Sequence, residues 1–164
     1  LMLANVDVIP DLANRTVSGG RLNLDQAGRA IAAWVDPNAG GITQYGTGLG
    51  GANIGTLYSQ SVPSIGSTIA IDASAFMGSS FGLMIVSGFQ TNVPYAGGTL
   101  LIVLTPPVII APLALSAGSG TLPVQLPNDG TLVGATVFAQ AGALNSTQSQ
   151  GVALSNGLAI TFRQ

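Results

Sequence analysis

The most apolar stretch of the chain, "GGTLLIVLTPPVIIAPLALSAG" from Gly97, carries Pro106, Pro107 and Pro112 in its middle. No other segment restricts the fold as strongly. Proline lacks a backbone donor and clashes with the preceding turn, so no helix runs through this stretch. A membrane span is excluded on the same ground, because it needs about 20 uninterrupted apolar residues. The β-branched content fits two or three strands instead. A period of two, interrupted by turn residues, continues from Gly41 to the end of the chain. It predicts strands at residues 56–60, 67–72, 81–89, 99–105, 108–116, 122–126, 132–141 and 158–163. Turn chemistry separates them in "YAGG", "PNDG" and "SNG", and Asn156-Gly157 has the composition of a tight hairpin. Eight short strands at this spacing predict a mainly β fold, an antiparallel β-sandwich of jelly-roll type. "IGSTIAI" at Ile65 and "VGATVFA" at Val133 form an internal echo that suggests a two-fold build.

The front of the chain is different. Asp7, Asp11, Arg15, Arg21, Asp25, Arg29 and Asp36 are seven of the ten charged residues, and Asp72, Asp129 and Arg163 are the other three. "DPNAGG" follows at residues 36–41, where proline and paired glycines stop a helix and open a turn. We therefore expect an N-terminal arm with one short helix over residues 1–36, a linker at 37–42 and the β-sandwich at 43–164. The helix is indicated by Ala27, Ala30, Ile31 and Trp34 at helical spacing, with Asn23 or Asp25 as its cap. Residues 1–9 are apolar without glycine, and propensity does not separate helix from strand there.

Charged residues make up 6% of the chain, against about 25% in an ordinary soluble domain. All acids are Asp and all bases Arg; Glu, Lys, His and Cys are absent. Without His or Cys, the usual zinc, iron-sulfur and copper sites cannot be built, nor can a Ser-His or Cys-His nucleophile. The aspartates are scattered, without the alternating carboxylates of a calcium loop, and we expect no cofactor. A net charge of -2 and the lack of any basic run argue against nucleic acid as a partner. The glycine-rich "GTGLGGANIG" from Gly46 has no lysine and no strand-loop-helix setting, so it reads as a loop and not a phosphate cradle. Tyr45, Tyr58 and Tyr95 are candidates for a sugar-binding face, although local packing with the hydroxyl at the surface is the simpler expectation. Asn14 and Asn145 head glycosylation patterns. No signal peptide is legible in this numbering, and export would require one upstream.

The segment "NVDVIPDLANRTVSGGRLNLDQAGRAI", residues 5–31, resembles the C-terminal end of the catalytic domain of secreted subtilisin-like serine proteases. Val17, Gly19, Gly20, Arg21, Leu22 and Asn23 are the core of the likeness. The family's catalytic Asp, His and Ser motifs have no counterpart, so no catalytic residue carries over. The remainder, through "LVGATVFAQA" and "ALSNGLAITF", resembles a small β-rich domain that ends many exported bacterial proteins.

Charge poverty leaves few of the devices that keep sheet edges apart, since there is no lysine to place on them. The expected function is accordingly that of a non-enzymatic extracellular or cell-surface protein, a subunit of a fibre, sheath or surface layer formed as a homo-oligomer or polymer. The alternative is an accessory C-terminal domain of a secreted subtilisin-like protease that secretes it, anchors it or binds its substrate, with a protease precursor or an extracellular polymer as the expected partner. The expected assembly residues are Leu1, Met2, Leu3, Val6, Val8, Ile9 and Trp34, an apolar set without a catalytic domain to cover it. An arm bearing them can add a strand to a neighbour's open edge.

Overall fold

The computed structural model describes residues 6–8, 20–22, 41–48, 55–145, 148 and 150–164. The chain divides into two compact units, Leu1–Ala39 and Gly40–Gln164. In the first, β1 (Val6–Val8) pairs antiparallel with β2 (Gly20–Leu22), setting Val6 opposite Leu22 and Val8 opposite Gly20. The expected helix lies outside the described residues.

The second unit is built of strands, and the ladders between its described strands are antiparallel, with isolated parallel bridges at Gly55–Ser155 and Ser64–Arg163. A five-stranded sheet has the order β3 (Ile42–Tyr45), β12 (Val152–Thr161), β11 (Thr136–Leu144), β6 (Phe81–Ser87), β9 (Val108–Ala114). A three-stranded sheet has the order β10 (Gly120–Gln125), β5 (Thr68–Ser74), β4 (Thr56–Tyr58). The hairpin of β7 (Gln90–Tyr95) and β8 (Gly98–Ile102) is a separate two-stranded sheet, not laddered to either. The mainly β, antiparallel class expected from the period of two is thus the one found.

Alternation supplies the core. Ile69, Ile71 and Ala73 from β5 and Leu57 from β4 meet Met84, Leu113, Ala139, Ala141, Ala143, Ala153, Leu158 and Ile160 of the larger sheet in one buried cluster. Three alanines in succession on the inner face of β11 share this cluster with Phe76 and Phe162, so small and large residues are combined in one core.

Two turns share one dipeptide. Ala96-Gly97 joins β7 to β8, and Ala117-Gly118 joins β9 to β10 across the two sheets; all four residues have positive φ, as the tight hairpin turn demands. The second turn closes with Ser119 N donating to Ser116 O (3.0 Å) and Ser116 N to Ser119 O (2.7 Å). The expected hairpin at Asn156-Gly157 does not exist. Both residues lie inside β12, where two residues, Ser155 and Asn156, oppose Ala141 alone in a β-bulge. The strand expected from Leu132 starts later, because Asp129 accepts from Thr131 N (2.9 Å) and closes a 3₁₀ turn over Gly130–Leu132.

Candidate association surface

The two faces of the five-stranded sheet differ in what covers them. Inward lies the core. Outward, the β7–β8 hairpin covers the middle of the sheet and is held there by Gln140. That side chain is 2% exposed; its Oε1 accepts from Leu101 N, and its Nε2 donates to Thr99 O and Ser155 O, each at 2.9 Å. Tyr45 assists from β3, its hydroxyl donating to Leu101 O at 2.9 Å and its ring set edge-on to Phe138. Burial pushes the Tyr45 hydroxyl up to about 12.

Beyond the hairpin, on β6 and β9, the outer face is open. Register places Phe81 opposite Ala114, Leu83 opposite Pro112 and Ile85 opposite Ile110, and the intervening Met84 and Leu113 are buried in the core. Period two therefore puts these six apolar residues on one side. Phe81 is 51% exposed, Leu83 39% and Ile110 60%. Neither strand contains a charged residue. Ile109, 67% exposed, pairs with Val86 and so belongs to the other side of the strand.

The strand edges are closed by other means than lysine. Pro94 lies in β7, Pro112 in edge strand β9 and Pro123 in edge strand β10. A proline enters a ladder only where its missing donor would point away from the partner strand, so Pro112 and Pro123 remove donors from the outward edges. On β4 an amide side chain replaces a strand: Leu57 N donates to Asn156 Oδ1 (2.8 Å), and Asn156 Nδ2 and Gln44 Nε2 donate to Leu57 O (3.1 and 2.5 Å). The expectation of unprotected edges is corrected at β4, β9 and β10.

Of the expected assembly residues, Val6 and Val8 lie in β1 with their backbone paired to β2. Leu1, Met2, Leu3, Ile9 and Trp34 lie outside the described residues, as does Asn14. The plate on β6 and β9 was not anticipated. The run "FGLMIVS" is apolar on both faces, so its period does not say which side is covered.

The three tyrosines do not form one face. Tyr45 is engaged by the hairpin through its hydroxyl, Tyr58 stands on the smaller sheet and Tyr95 at the tip of β7. A shallow groove of about 520 Å³ beside the hairpin is lined by Tyr45, Gly46, Gln90, Thr91, Asn92 and Leu101, and has no charged group. Asn145 is 1% exposed and its amide donates to Met77 O (2.8 Å), which leaves that nitrogen unsuited to carrying a glycan. Among the described residues no group of His, Cys, Asp or Glu could hold a metal ion, and no helix is long and apolar enough to cross a membrane. Neither a family model nor a curated protein matches the chain.

Proposed function

We propose that this chain is a non-enzymatic extracellular structural protein, a subunit of a fibre, sheath or surface layer that acts by association with further copies. The observation that carries this reading is an uncharged apolar plate in a unit with three formal charges over residues 41–164. None of those charges lies on β6 or β9: Asp72 accepts from Thr121 Oγ1, Asp129 caps a turn, and Arg163 reaches Ser64 Oγ. An exposed apolar surface costs roughly 25 cal/mol per Å² relative to a covered one, and few charges remain to repel an approaching copy. The arm at residues 1–36 supplies a second contact in this reading, docking on the adjacent subunit.

A second reading rests on the "VSGGRLN" likeness: the chain is the accessory tail of a subtilisin-like protease. Size-exclusion chromatography with negative-stain microscopy separates the two, polymers supporting the subunit and a discrete monomer the tail. Either way we expect no hydrolysis of casein or active esters above buffer. Labelling of one serine by a serine-directed reagent would refute the absence of catalysis.

A further inference from the structure

The groove of about 520 Å³ between Tyr45–Gly46 and the start of β7 falls within the size range of small-ligand clefts, about 300–1,000 Å³. Three consecutive residues, Gln90, Thr91 and Asn92, line it. Neighbours along a regular strand point to opposite sides. Here the ladder slips: Gln90 faces Ile102 and Val93 faces Leu100, so Thr91 and Asn92 both oppose Leu101. Such a bulge re-aims side chains, which is why bulges recur beside functional sites. The backbone of Leu101 is engaged by side chains, its N–H by Gln140 Oε1 and its carbonyl by the Tyr45 hydroxyl, each at 2.9 Å.

The polar groups of this lining are unspent. Among the described residues, no hydrogen bond engages the side chains of Gln90, Thr91 or Asn92. Amides and a hydroxyl can donate and accept at once. The remaining wall is apolar and fixed. Leu101 is 3% exposed. Tyr45 has its hydroxyl tied and its ring edge-on to Phe138, and it packs so closely over Gly157 that a Cβ there would collide with the ring. A ligand entering the groove therefore meets a surface that needs little ordering.

We propose that this groove is a binding site for a neutral saccharide. The site is separate from the plate on β6 and β9 and does not depend on the subunit reading. No charged residue lines it, so phosphate, carboxylate and ammonium groups find no counter-ion. A wholly apolar ligand would strip water from three polar side chains without replacing their hydrogen bonds. An extended peptide adding to β7 meets Pro94, which has no N–H to give. A sugar ring satisfies each condition: its hydroxyls donate and accept around the rim, and its C–H face lies against Leu101 and the Tyr45 ring.

The test titrates maltohexaose, cellohexaose and chitohexaose into the full chain by isothermal titration calorimetry. At least one should bind, at a Kd of roughly 1 mM, since the groove is shallow and few bonds form. Gln90→Ala and Asn92→Ala remove exposed side chains that hold nothing else in the described fold. Each should keep the wild-type circular dichroism spectrum and weaken binding about fivefold, the worth of one hydrogen bond, and the double variant about 25-fold. Tyr58→Ala, on the smaller sheet, should bind as the wild type does. No heat from any of the three sugars at about ten times that concentration, or an undiminished affinity in the double variant, overturns the site. A neutral glycine-serine peptide that binds the wild type as tightly as the sugars, and is lost in the same variants, overturns the saccharide as its ligand.

Discussion

Gln140 is the residue on which the hairpin depends. Replacing it with Leu keeps volume but leaves Leu101 N, Thr99 O and Ser155 O without their partner, and an unsatisfied buried group costs about 1–3 kcal/mol. Gln140→Leu should lower unfolding free energy in urea by about 3 kcal/mol and speed amide exchange at Leu101 ahead of β5. Gly157 permits no side chain, since a Cβ there would stand 2.4 Å from the Tyr45 ring; Gly157→Ala should cost about 1–3 kcal/mol in the same assay. Tyr45 supplies a pH signature. Its folded value, about 12, lies above the ordinary 10.0, so its contribution is whole below pH 10 and is lost as pH climbs towards 12. Near-ultraviolet absorbance should show a late-ionising tyrosine that Tyr45→Phe removes. The sequence misleads at this site because Asn156-Gly157 has hairpin composition, whereas register requires a bulge there, an amide to pair Leu57 and a glycine under Tyr45.

Among the elements, β5, β6, β9 and β10 are legible as alternating or apolar runs bounded by turns. The echo between Ile65 and Val133 has a local counterpart: Gly66 and Gly134, both at positive φ, each introduce the strand at the middle of its sheet. Strands β3 and β7 escape such a reading, because "ITQY" is short and held only by β12, distant in sequence, and "QTNVPY" is polar with a proline. The edges carry the clearest prediction at this scale. Pro112→Val restores an outward donor to β9 at a position whose side chain is already exposed. The variant should fold as the wild type does and aggregate faster, as followed by light scattering. Equal rates would mean that Pro112 does not protect that edge.

For the whole molecule, the subunit reading requires that apolar burial dominate assembly, so polymers should persist in 1 M sodium chloride, where the Debye length is about 3 Å. Deleting residues 1–36 should leave a folded β unit that no longer polymerises; polymers of unchanged appearance would show that the arm takes no part. The same shortage of charge that leaves the plate unopposed has an effect on lifetime. The four arginines stand at 15, 21, 29 and 163, with no lysine. Arg163 is tied by its backbone, its N–H donating to Pro63 O (3.0 Å) and its carbonyl accepting from Ile65 N (2.8 Å). Proteases that cut after basic residues therefore meet no target from Ala30 to Phe162, even in a fully unfolded chain. Durability against such enzymes is written into composition and does not wait on folding.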